Sequence, residues 1–225
     1  MTNTLHRFGD AESFRDDYIV FAIPSKSNKD PNALPKLHRF MEIALEYKPV
    51  NLGETRHGGA LRPSKNLGPL AHWNRDFKPD FQAVINGLTI PTTCAAVFDN
   101  PEAAEQFVKR IKEENLGMSV NISTSIEGAE RCCNFACLDR HSVGYSLGFE
   151  GKTEKIPNSQ VTTLSTMCGH GMISHSLAKK MIDFVKENRR TPEQAATYLS
   201  RFCSCGIFNP SRAKRILEDA RSNSK

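Results

Sequence analysis

The sequence predicts an α/β fold, or α+β sandwich, in which helices pack on a mixed β-sheet and a helical unit follows at the C-terminus. Short apolar runs rich in β-branched and aromatic residues alternate with segments whose apolar residues recur every three or four positions. After residue 167 only the helical spacing continues. With 225 residues, of which 39% are hydrophobic, the chain can form an α/β domain over residues 1–167 and a helical subdomain over residues 168–225.

The first elements are a strand and a helix. Residues 18–23 (YIVFAI) are a short apolar run before the turn-forming segment PSKSNKDPN, which is typical of a buried strand. A helix is predicted next because the apolar residues from Leu37 to Leu45 share one helical face, and Pro35 is suited to begin it.

A long loop is predicted over residues 47–86, where the periodicity stops and Gly, Pro and basic residues dominate. The basic and histidine side chains of this loop are Arg56, His57, Arg62, Lys65, His72, Arg75 and Lys78. A solvated surface loop is the favoured interpretation. The alternative is a loop that holds a small, anionic ligand. In that case we expect Arg56 and His57 to contact the ligand, because the two glycines that follow let it approach the backbone.

Regular alternation returns after residue 90. Strands are predicted at residues 92–98, 118–123, 142–149 and 161–167, and helices at residues 101–114 and 125–138. Asn100 is a suitable N-cap for the first of these helices. Three further helices are predicted in the C-terminal unit: one through Leu177 and Val185, one capped by Thr191, and one after residue 210.

The charge balance excludes some classes of partner. Lysine and arginine exceed aspartate and glutamate by 30 to 25, an excess too small to indicate nucleic-acid binding. No apolar run is long enough for a membrane span, and the first residues lack the apolar core of a secretory leader. We therefore expect a cytoplasmic protein whose seven cysteines are reduced.

Two breaks in the C-terminal unit carry the residues that indicate chemistry. Cys168 and His170 lie in the segment MCGHG, and Cys203 and Cys205 lie in CSCG, each a few residues before a predicted helix. The unpaired N–H groups at a helix start stabilise a thiolate, which attacks electrophiles and binds metals. We predict a metal or iron–sulfur centre on Cys168, Cys203 and Cys205, with His170 or Cys132 as a fourth ligand.

The remaining cysteines are predicted to belong mainly to the core. Cys133 and Cys137 are four residues apart on a predicted helix and share its apolar face, so packing is the favoured role for both. Cys132 is turned about 100° away and is therefore the one expected to reach a site. Cys94 lies inside a predicted strand and is expected in the core.

Two short resemblances concern these cysteines. The order Cys94, Cys132-Cys133 and Cys168 is similar to the repeat of heterodisulfide-reductase-type subunits, which implies an iron–sulfur cluster, but the last ligand of that repeat is missing here. The segment MCGHG, with Cys205 as a second thiol before a glycine, is similar to proline-racemase-type enzymes, which implies paired catalytic thiols; the interval between the two thiols is too short for their two-lobed fold. The chain is assigned to neither family.

Three hypotheses about function follow. The leading one is an iron–sulfur or zinc centre that supports redox or Lewis-acid chemistry on a small substrate, as in a metal-dependent oxidoreductase or lyase. The second is a metal-free thiol enzyme that uses Cys168 with His170 or His175 as its proton partner. The third is a structural zinc site in a binding or regulatory module. The tight turn between Cys203 and Cys205 is expected to make chelation of one zinc ion difficult.

Overall fold

The computed structural model describes residues 6–24, 30–61, 78–144 and 148–222. These residues form one five-stranded sheet in the order β3-β2-β4-β1-β5. The strands are β1 (Tyr18–Ile23), β2 (Asn51–Glu54), β3 (Gly58–Gly59), β4 (Cys94–Phe98) and β5 (Ser119–Ser123). Each pairing is antiparallel. The α/β class is confirmed, and the described sheet is antiparallel instead of mixed.

Eight helices surround this sheet in the described part of the chain. They are α1 (Ala33–Glu46), α2 (Phe81–Gly87), α3 (Pro101–Glu114), α4 (Ile126–Phe135), α5 (Ser159–Ser165), α6 (His175–Lys186), α7 (Pro192–Ser200) and α8 (Pro210–Ser222). Two predicted helix starts are confirmed by their caps. The Asn100 side chain accepts from the backbone N–H groups of Glu102 and Ala103, and Thr191 forms a complete capping box with Gln194.

Strand β1, which lies between β4 and β5, separates two apolar layers. All six of its residues are buried, and successive side chains point to opposite faces of a strand. Val20 and Ala22 pack with α1 and α3, whereas Ile19 and Phe21 pack with the helices that follow residue 158. The C-terminal helices therefore form one of the two layers that cover the sheet. None of the helices described is both long and apolar enough to cross a membrane.

The strand predicted at residues 161–167 is wrong, because Ser159–Ser165 is helix α5. The run VTTLSTM has high β-propensity, but burial against the other helices overrides it. The Asn158 side chain caps the N–H of Val161. Within the helix the hydroxyl of Thr163 donates to the carbonyl of Ser159 at 2.7 Å, so a buried Thr is satisfied without a sheet partner.

Two other predicted segments differ from the structure. No strand forms at residues 142–144 or 148–149, and residues 145–147 lie outside the described part of the chain. The predicted loop at residues 47–86 contains β2, β3 and α2. Short glycine-rich strands carry too little apolar periodicity to be recognised in the sequence. Residues 62–77, with Arg62, Lys65, His72 and Arg75, lie outside the described residues.

Candidate functional site

Three thiols and one imidazole come together in the C-terminal layer. Cys203 Sγ lies 3.7 Å from Cys205 Sγ, and Cys205 Sγ lies 3.1 Å from His170 Nδ1. Cys168 lies near both Cys203 and His170 and interacts electrostatically with each. The four side chains are thus neighbours, and we call this group the Cys/His ring. It joins the turn after α5 to the loop between α7 and α8.

The Cys/His ring lies mostly inside the protein. Cys168 and Cys203 are 0% exposed and Cys205 is 6% exposed, whereas His170 is exposed. The three cysteines belong to the apolar core between the sheet and the C-terminal helices. The backbone N–H of Ile207 donates to Cys203 Sγ at 3.3 Å, a bond that favours a negatively charged sulfur. The His170 imidazole therefore lies between the buried cysteines and the solvent.

The pKa values of two ring thiols, Cys168 and Cys203, are raised. The hydrogen bond with Cys203, together with burial, raises the pKa of Cys168 far above its usual value. For Cys203 the hydrogen bond with Cys168 lowers the pKa, but the bond with Cys205 and burial raise it, and the net pKa is about 11. The sequence predicts helix starts that stabilise a thiolate, but the pKa values of Cys168 and Cys203 are raised, because hydrogen bonds with neighbouring thiols and desolvation outweigh the opposing effects.

Backbone glycines bring the cysteine loop against the edge of the sheet. Gly206 has a left-handed φ of +69°, and a Cβ added to it would lie 2.5 Å from the Cα of Gly59 and 2.7 Å from the Cα of Gly53. The adjacent Asn51 donates from Nδ2 to the carbonyl oxygen of Phe208 at 2.9 Å. The loop that carries Cys203 and Cys205 is therefore fixed to the β2–β3 hairpin.

The predicted ligand residues Arg56 and His57 lie in the turn of this hairpin. Both are exposed, while Glu54 between them and the sheet is buried. The Glu54 carboxylate accepts from the N–H of Arg56 at 2.9 Å and lies 2.8 Å from His57 Nδ1. These contacts satisfy a buried carboxylate. Arg56 and His57 therefore have a structural role in this turn, since both satisfy Glu54. Ligand contact by Arg56 and His57 stays a prediction.

The structure brings some predicted site residues together and separates others. Cys168, His170, Cys203 and Cys205 share the Cys/His ring. His175 is exposed at the start of α6. Cys132 is 0% exposed in the core on the other face of the sheet, where burial raises its pKa to about 12. The structure does not bring Cys132 to the ring.

The burial predicted for the cysteines at positions 132, 133 and 137 is wrong. Cys132 is buried, Cys133 is half-buried, and Cys137 is exposed. The buried face of α4 contains Gly128 and Cys132, and the helix ends at Phe135, so Cys137 lies beyond it with a φ of +50°. The predicted face is therefore rotated relative to the buried one, and only the exposure of Cys137 follows from the earlier end of the helix. The prediction for Cys94 is confirmed, because it is 0% exposed.

Sequence reasoning missed an N-terminal segment that runs beside the ring. His6 N–H donates to the Gly169 carbonyl at 3.3 Å, Arg7 Nε donates to the Met167 carbonyl at 3.0 Å, and Phe8 N–H donates to Thr166 Oγ1 at 3.1 Å. We call residues 6–8 the N-terminal strap. Its partners are about 160 residues away along the chain, and no local sequence pattern signals a contact of that kind.

The side chains of the Cys/His ring are of the kinds that a soft ion prefers. With a zinc–sulfur distance of about 2.3 Å, two thiolates on one tetrahedral ion lie about 3.8 Å apart, close to the 3.7 Å between Cys203 and Cys205. Whether the short turn between them allows chelation stays a prediction. Among the described residues no group of three or more His, Cys, Asp or Glu is already arranged to hold a metal ion. His170 Nδ1 lies 3.1 Å from Cys205 Sγ, which is shorter than the distance between a nitrogen and a sulfur ligand on one ion. Because His170 is exposed, its side chain has room to move outward.

No protein family, curated protein or solved structure matches this chain.

Proposed function

We propose that the protein binds one zinc-like ion through Cys168, Cys203, Cys205 and His170, and that the ion fastens the C-terminal helices to each other and to the sheet. The observation that carries this proposal is the contact of Cys205 with both Cys203 and His170, with the buried Cys168 beside them. Zinc prefers thiolate and imidazole ligands in a tetrahedral arrangement. An ion bound there would displace the thiol protons, and the chain would supply all four ligands.

The spacing favours one ion over a 4Fe–4S cluster. In a 4Fe–4S cluster each cysteine binds a different iron, so the cysteine sulfurs are farther apart than two ligands of one ion, whereas a 2Fe–2S cluster has two cysteines on each iron. The 3.7 Å between Cys203 and Cys205 is a single-ion distance. The seven cysteines are all free of disulfides, as the proposed cytoplasmic location requires.

A complete set of four protein ligands favours a structural role. Catalytic zinc sites keep one coordination position for water or substrate, and structural sites do not. Lewis-acid chemistry on a small substrate is the second candidate, because His170 is exposed and is the ligand that could give way. The metal-free thiol enzyme has less support, since Cys168 is fully buried and its pKa is raised.

Replacing one ring cysteine should abolish metal binding. We expect the wild-type protein, purified without oxygen and supplied with zinc, to retain about one ion per chain, and Cys203→Ser to retain close to none because a missing ligand opens the coordination sphere. Elemental analysis after gel filtration measures both values.

The matched control is Cys94→Ser, which alters another fully buried cysteine on the opposite face of β4. It should cost roughly 1 to 3 kcal/mol of stability, because the new hydroxyl needs a partner, and should retain the ion. Equal metal content in the Cys203→Ser variant and the wild type would refute the proposed ligand set.

A further inference from the structure

Arg7 of the N-terminal strap lies in a buried group of charges beside the Cys/His ring. Its guanidinium shares the carboxylate of Asp17 with that of Arg212. The exposed fraction of the side chain is 3% for Arg7 and 0% for both Asp17 and Arg212. Asn209 Nδ2 donates to Asp17 Oδ1 at 3.0 Å. Two buried cations therefore face one buried anion, which leaves one positive charge without a counter-charge inside this group.

Two further carboxylates, Asp10 and Asp16, act on Arg212, but Asp10 is exposed and Asp16 is only partly buried. Arg215 and Asp16 form their own ion pair, in which both side chains are about one quarter exposed. Phe14 lies under both buried guanidinium groups, with its ring centroid 4.8 Å from Arg7 Cζ and 4.1 Å from Arg212 Cζ. An aromatic face attracts a cation but carries no net charge. An unbalanced buried cation is costly unless an anion approaches.

The proposed metal centre would supply such an anion. Three thiolates, one neutral imidazole and one divalent ion carry a net charge of minus one. Arg7 is directed to this place by two bonds to main-chain carbonyls: Nε donates to Met167, the neighbour of Cys168, at 3.0 Å, and one terminal nitrogen donates to Ser123 at 3.0 Å. The thiol of Cys168 is close enough to act electrostatically on Arg7.

We infer that Arg7 is a positioning residue whose positive charge offsets the net negative charge of the metal-loaded Cys/His ring, so that the N-terminal strap and the ion stabilise each other. The inference rests on the proposed metal centre. Arg7 is not a ligand, and it acts through charge on the ligands it borders. Partners of this kind outside the ligand set tune metal affinity and are costly to lose.

The test measures zinc affinity by competition with a chromophoric chelator in the full-length protein. Arg7→Gln removes the charge and retains hydrogen-bond donors, whereas Arg7→Lys retains the charge. We expect the Gln variant to bind zinc about 10- to 100-fold more weakly and the Lys variant to stay close to wild type. Arg215→Gln is the control, because it alters an arginine of the same region whose partners are Asp16 and Ser13, and it should leave zinc affinity unchanged.

A second measurement separates charge balance from simple packing. Arg7→Gln and Arg7→Lys both lose bonds to the buried carbonyls of Met167 and Ser123, so both metal-free variants should unfold at a lower urea concentration than metal-free wild type. Only the Gln variant should then gain less stability from zinc than the wild type gains. An equal gain from zinc in the Gln and Lys variants, or equal affinity losses for the two, would overturn the inference while the metal centre stands. Failure of the wild type to bind zinc would overturn both, and the two failures are thereby distinguished.

Discussion

Removal of the bound ion is expected to lower the melting temperature of the wild-type protein by about 10 °C. At free zinc about 1,000 times above its dissociation constant, binding to the folded state alone contributes about 4 kcal/mol, and each kcal/mol shifts the midpoint of a chain of this size by about 2 to 4 °C. The loss should be concentrated in the C-terminal layer, because the Cys/His ring joins the turn after α5 to the loop between α7 and α8. Calorimetry with and without a chelator measures the shift.

The control for this prediction is the Cys203→Ser variant, which lacks the ion from the start. Its melting temperature should be low and insensitive to chelator. A wild-type midpoint that does not move when the ion is removed would mean that the ion, if bound, does not fasten the helical layer.

Gly206→Ala is expected to lower the free energy of unfolding by roughly 2 to 5 kcal/mol. The left-handed conformation of Gly206 is unfavourable for alanine by about 1 to 2 kcal/mol, and the new Cβ would overlap the backbone of Gly53 and Gly59, for which overpacking adds about 1 to 3 kcal/mol. Backbone cannot rotate away as a side chain can. The displacement should also weaken zinc binding, because Cys205 precedes Gly206. Urea denaturation and chelator competition measure the two effects.

Gly117→Ala separates conformational strain from steric overlap. Gly117 has a similar φ of +65°, and the nearest atom to an added Cβ is the end of the Lys36 side chain at 3.7 Å. This variant should lose only the conformational part, about 1 to 2 kcal/mol. Equal losses in the two variants would show that the contact between the cysteine loop and the hairpin does not determine stability.

Local signals in the sequence predicted much of the fold. The cap at Asn100, the capping box at Thr191 and the apolar run of β1 depend on neighbouring residues, and each was confirmed. The run at residues 161–167 was misread because the same β-branched residues fit a buried helix when their hydroxyls find carbonyls one turn earlier. That choice is made by tertiary packing, which no short window of sequence contains.

The candidate site was predictable only in part, because some of its residues carry local sequence signals and others do not. Glycines next to Cys168 and Cys205 marked both breaks, and these breaks meet in the structure. The contributions of Arg7 and Gly53 were not predictable, because each depends on a partner more than 150 residues away. Cys132 was expected near the ring, but the sheet separates the two cores to which Cys132 and Cys168 belong.

The ligand set of the bound ion is the most direct test of this account. X-ray absorption of the zinc-loaded protein should give three sulfur ligands at about 2.3 Å and one nitrogen ligand at about 2.0 to 2.1 Å, with the nitrogen lost in a His170→Ala variant. A shell composed of oxygen and nitrogen alone, sulfide-bridged iron in the protein as isolated, or no retained metal would contradict a single ion held by Cys168, Cys203, Cys205 and His170.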